Sequence, residues 1–81
     1  MGDGAELSFV VRPAGAGVIM VNGTAAPATP TRYARGTVLR LQAVAAEGFV
    51  LDSWNDGEWF EEEWAFTALS DRTITAVMSE G

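Results

Sequence analysis

The residues that could carry chemistry in this chain are carboxylates and aromatics gathered between Asp52 and Trp64, in the run DSWNDGEWFEEEW. A pair of carboxylates can share acid and base work across a bond. Asp52 and Asp56 flank Trp54, and Glu58, Glu61, Glu62 and Glu63 follow. The chain has no His, Cys or Lys. That removes the side chain that titrates nearest neutral pH and every common covalent nucleophile except Ser, Thr or a carboxylate. A solvated acidic loop accounts for the same residues, and 81 residues leave little room for a closed pocket. The expectation is no enzyme and no catalytic residue.

With only oxygen ligands on offer, Ca²⁺ is the ion to consider. Asp52, Asn55, Asp56 and Glu58 crowd a tight turn, but they lack the alternate-position spacing of an EF-hand loop. Asn-Asp-Gly is also a plain turn former. No metal site and no cofactor are assigned, with Ca²⁺ at this turn as the alternative. The aromatics divide. Trp54 and Trp64 fall in step with apolar strand faces and belong inside, whereas Trp59 and Phe60 are flanked by acids. Such a pair can be a lid over the sheet, a protein-contact surface or a sugar-stacking platform. Trp59, Phe60, Glu58, Glu61 and Glu62 form the candidate interaction surface.

Composition narrows the partners. Five Arg against eleven acids leave a net charge of −6, which disfavours nucleic acid and anionic membrane. No apolar run approaches the roughly 18–20 residues of a membrane span, so membrane insertion is not expected. Without cysteine there is no disulfide and no thiolate metal site. Met1-Gly2-Asp3-Gly4 lacks the basic flank and apolar core of a signal peptide and reads as a linker remnant. The expected organisation is a remnant at 1–4, one domain at 5–79 and a tail at 80–81.

These residues must be positioned by strands. Leu7, Phe9 and Val11 alternate with Glu6, Ser8, Val10 and Arg12. Val18 to Val21 is a second short strand, assigned to the core through Val18 and Met20, and Asn22-Gly23 is a strong turn signal. Thr24 to Thr31, with Pro27 and Pro30, reads as an irregular loop or edge segment. From Gly36 to Trp54 the pattern is firmest. Leu39, Leu41 and Ala43 alternate, Glu47-Gly48 turns, and Phe49 and Leu51 resume, predicting two antiparallel strands as the nucleus. Glu58 to Glu63 fits a helical turn, a hairpin tip or a wide loop, with Arg32, Arg35 and Arg40 as candidate cation partners for its acids. Trp64, Phe66 and Ala68 mark another strand, and Ile74, Ala76 and Met78 the last. No stretch shows a helical period. The expected fold is all-β, a small single domain of six or seven short, mostly antiparallel strands arranged as a twisted sheet, sandwich or barrel-like form.

In this order the elements resemble the divergent internalin-B-type repeat, a small β-domain of bacterial surface proteins. The likeness rests on Gly15-Ala16-Gly17-Val18, Tyr33, the strand Gly36 to Ala43 (GTVLRLQA), the run Gly48 to Trp54 (GFVLDSW) and Thr73 to Met78 (TITAVM). It spans about Leu7 to Met78. Leu51 and Met78 stand where the family has Phe, both volume-tolerant core exchanges, and 56–63 is richer in acids and aromatics than the family pattern. The resemblance implies a non-catalytic module, often repeated in tandem, that spaces, displays or adheres outside the cell or at its surface as part of a larger protein. It supplies no catalytic residues. Its partner would be a protein or neighbouring copies of itself. Two other roles fit the residues: a module taking glycan or Ca²⁺ at the 52–63 loop, and a subunit that self-assembles by edge pairing near 24–34 or along Ala5–Pro13.

Overall fold

A computed structural model describes residues 4–81. The expected linker remnant therefore lies largely outside the described residues, and strand structure begins already at Gly4 and runs to Glu80. The chain is all-β, with eight strands among the described residues: β1 (Gly4–Arg12), β2 (Gly17–Val21), β3 (Thr24–Ala25), β4 (Thr31–Ala34), β5 (Val38–Ala45), β6 (Phe49–Trp54), β7 (Glu63–Thr67) and β8 (Arg72–Glu80). They form two four-stranded sheets, ordered β4-β1-β8-β6 and β3-β2-β5-β7. Every pairing is antiparallel except β1 with β8. One shared core lies between the sheets, so the form is a sandwich.

The period-two pattern sets the inward faces where it is unambiguous. Leu39, Leu41 and Ala43 of β5, Trp64 and Phe66 of β7, and Ile74, Ala76 and Met78 of β8 are all buried. Phe9, Val11, Phe49 and Leu51 are half-buried and pack against that core. Strand β2 reverses the expected phase. Val18 is 50% exposed, while Ile19 and Val21 are buried. The register explains it: Ile19 pairs with Ala43 and Val21 with Leu41, and directly opposed residues share a face. All four residues of this run are apolar, so alternation within it carried no information.

The Gly36–Trp54 nucleus is also corrected. β5 and β6 do not pair with each other. β5 lies between β2 and β7, and β6 pairs with β8 in the opposite sheet, so the turn at Ala46–Gly48 is an arch across the sandwich. Strand β1, considered as a free edge, is internal, flanked by β4 and β8. The β4 ladder covers Gly4–Leu7, and among the described residues no strand pairs with the rest of β1 on that side. The 24–34 region does hold edge strands, β3 and β4.

Two local devices shape the region around the acidic loop. Leu51 and Trp54 both point inward although they are three residues apart, which a regular strand forbids. A β-bulge resolves this: Leu51 pairs with Met78 and Ser53 with Val77, leaving Asp52 as the extra residue. Gly17 is needed where β2 crosses close to β5. A Cβ there would collide with the Val44 carbonyl oxygen and press on Met78. The Asn22-Gly23 turn takes positive φ at both residues (52° and 83°) and closes the β2–β3 hairpin in two residues.

Candidate functional site

The segment from Asn55 to Glu62 links β6 in one sheet to β7 in the other, and it is neither helical nor a free wide loop. Asn55 and Asp56 both take left-handed backbone (φ 52° and 59°), a conformation that Asn and Asp tolerate better than other residues with a Cβ. Trp54 N–H then donates to the Trp59 carbonyl at 2.7 Å, and Glu58 N–H donates to the Trp54 carbonyl at 2.8 Å. Further on, the Trp54 indole Nε1–H donates to the Glu61 carbonyl at 2.8 Å and Ala43 N–H to the Glu62 carbonyl at 2.9 Å. The backbone of the acidic run is therefore tied down at both ends while its carboxylates project outward.

Asn55 holds the entrance of this segment to β8. Its N–H donates to the Thr75 carbonyl at 2.8 Å, and its Oδ1 accepts from Thr75 N–H at 2.7 Å. The side chain thus replaces a missing strand carbonyl. Asn22 does the same at the other turn, with Arg40 as partner at 2.9 Å in both directions. One residue type solves the same end-of-strand problem twice.

The structure separates the four aromatics. Trp54 is completely buried, with its ring centroid 5.7 Å from that of Trp64. Trp59 also stacks on Trp64, nearly parallel at 8° and 5.9 Å, and its Nε1–H donates to the Glu63 carbonyl at 2.9 Å. Trp64 also meets Phe66 edge-on at 5.1 Å. Trp59 is therefore a lid over Trp64, half exposed at 39%, whereas Phe60 stands out at 67% exposure. Phe60 is not part of the lid. It borders a shallow groove of about 650 Å³ lined by Val50, Leu51, Phe60, Glu61, Glu62 and Glu63, beside β6 at the end of its sheet.

The acids divide as well. Glu58 takes both guanidinium nitrogens of Arg72 (NH1 at 3.1 Å to one oxygen, NH2 to the other) and accepts from Asn55 Nδ2 at 2.9 Å. The Arg72 hydrogen bonds first, then that of Asn55, hold the Glu58 carboxyl below its usual value near 4.5, and Glu58 in turn raises Arg72. Arg72 also lies over the Phe66 ring at 5.3 Å, so the ion pair sits on the aromatic cluster. Asp56 pairs with Arg12 at 2.7 Å. These are the ion pairs among the described residues. The expected role of Arg32, Arg35 and Arg40 is thereby corrected. Arg32 and Arg35 donate to the carbonyls of Gly4 and Leu69, and the residues brought to the loop are Arg12, at the end of β1, and Arg72, at the start of β8. Glu61, Glu62 and Glu63 have no ion-pair partner among the described residues. Nor do three or more acids there converge on a point that could hold an ion.

Of the five residues read from sequence as an interaction surface, Phe60, Glu61 and Glu62 share the groove, Trp59 is engaged with Trp64, and Glu58 with Arg72. Val50 and Leu51 line the same groove, yet nothing in the sequence marks them as part of this surface, because that placement depends on β6 being an edge.

The Glu58 pair has a pH signature. A carboxyl whose folded-state value is lowered adds stability that is present above its unfolded value and lost as pH falls through the folded one. Urea midpoints measured stepwise below about pH 4.5 are expected to fall more steeply for the native chain than for Glu58→Gln. The difference should stay within about 1 kcal/mol because both partners are partly exposed. Parallel titrations of the two chains would place the effect elsewhere. Comparison with known proteins finds no matching family model, curated protein or solved structure.

Proposed function

We propose that this domain is a non-catalytic structural and adhesive module of repeat type in a bacterial extracellular or cell-surface protein, acting by spacing, display and protein–protein contact. The observation that carries the reading is Phe60. A large apolar ring left two-thirds exposed, on a segment whose backbone is pinned, contributes little to folding and is available to a partner. Glu61, Glu62 and Glu63 around it select a partner with an apolar residue flanked by Arg or Lys. The order of motifs shared with the internalin-B-type repeat supports the same role and suggests neighbouring copies in tandem.

Three measurements test this. Phe60→Ala is expected to leave the thermal midpoint and urea stability within about 0.5 kcal/mol of the native value. A loss of 2 kcal/mol or more would make Phe60 part of the fold and remove it as a contact. On intact cells, a membrane-impermeant label should reach the native protein, and its full protection would overturn the surface assignment. Sedimentation velocity from micromolar to submillimolar concentration, for the native chain and Phe60→Ala, separates a foreign partner from self-association.

A further inference from the structure

We infer that the domain is a load-bearing link, in which tension between its two ends is carried as shear by the parallel β1–β8 ladder. Chain enters at Gly4, the start of β1, and leaves at Glu80, the end of β8. These two strands are direct neighbours and run in the same direction, paired from Leu7 with Arg72 through Arg12 with Val77. Gly4 lies three residues before the level of Arg72 and Glu80 eight residues beyond it, so entry and exit are eleven strand steps apart, or about 36 Å at ~3.3 Å per residue. The chain thus enters and leaves at opposite ends of the sheet.

The direction of load follows from this. Tension draws β1 toward the Gly4 end and β8 toward the Glu80 end, along the strand axis. All the hydrogen bonds of the ladder lie across that axis and are strained together, so none can fail first and hand its load to the next. Both strands are also held on their other flanks, β1 by β4 at Gly4–Leu7 and β8 by β6 from Phe49 to Trp54. Each is thus flanked at the end where tension enters it, β1 over Gly4–Leu7 and β8 over Ala76–Glu80. Between them, inward side chains Leu7, Ile74 and Ala76 are fully buried, so sliding also drags apolar surface through a packed core. A fold whose end strands formed an antiparallel pair would bring entry and exit together, and the same tension would unzip it one bond at a time.

This rests on the tandem-module reading only for its use in the cell; the mechanical anisotropy is a property of the fold itself. The chain has no cysteine, so introduced thiols give unique handles for single-molecule pulling. One protein carries thiols appended at its two ends. The other carries the C-terminal thiol and Glu47→Cys, an exposed turn residue at the same end of the sheet as Glu80, where Gly81 N–H reaches the Gly48 carbonyl. That second geometry peels β6 from β8. Urea stability of the two is expected to be equal, while the unfolding force at one loading rate is expected to be several-fold higher for the end-to-end geometry. Equal forces, or a lower end-to-end force, would overturn the inference and leave the surface-module reading intact. A several-fold anisotropy together with full protection from the cell-surface label would have the opposite meaning: the clamp stands and the assigned location fails.

Discussion

Trp54→Ala is expected to cost about 3–5 kcal/mol, the range for removing a fully buried large aromatic. For a chain of this length the whole stability is about 4–12 kcal/mol, so the variant should be largely unfolded or melt far below the native protein. The size of the effect comes from three roles held by one side chain. The ring is completely buried against Trp64. Its Nε1–H satisfies the Glu61 carbonyl. The bulge at Asp52 exists to turn it inward. Trp54→Phe separates these roles. It keeps much of the apolar contact and loses the hydrogen bond, with an expected cost of about 1–3 kcal/mol. Trp59→Ala should cost less than Trp54→Ala because Trp59 is a half-exposed lid. Urea denaturation of the three variants checks the order, and a Trp59 cost above that of Trp54 would refute this account of the aromatic cluster.

Asn55→Ala should be the next largest effect outside the apolar core, at about 2–5 kcal/mol. Two contributions add. Alanine in left-handed backbone is disfavoured by roughly 1–2 kcal/mol, and Thr75 N–H loses the Oδ1 that accepts from it in a partly buried position, worth about 1–3 kcal/mol. Loss of the Nδ2 bond to Glu58 adds little because that carboxylate stays paired with Arg72. Asn55→Gly tests the division. Glycine accepts the backbone conformation freely, so the gap between the Ala and Gly variants reads the strain, and the cost of Gly reads the hydrogen bond. Hydrogen exchange at the Thr75 amide gives an independent check, since it should quicken in both. Equal stabilities for native, Ala and Gly chains would mean that water replaces the side chain at no cost.

The candidate surface shows how far local pattern reaches. The charge and aromatic content of 52–64 identified the segment, and the separation of Trp54 and Trp64 from Trp59 and Phe60 followed from phase against the apolar faces. Pattern did not separate Trp59 from Phe60, because both are aromatic and both are flanked by acids. That difference is made by Trp64, which stacks with Trp59 and leaves Phe60 exposed. Glu58 looked like its neighbours and differs from them only because β8 delivers Arg72 to it.

By itself the sequence determined the all-β class, the turns at Asn22-Gly23 and Asn55–Gly57, and the inward faces of β5, β7 and β8. Each of these depends on residues within a few positions of one another: the two-residue side-chain period, and the backbone conformations that Gly and Asn tolerate. Only the tertiary structure decided the phase of β2, the sheet that β6 joins, the parallel placement of β1 beside β8 and the partners of the acids. Those are agreements between segments far apart in the chain. They are settled by which apolar faces can be buried together in one sandwich, and no local run of residues carries that information.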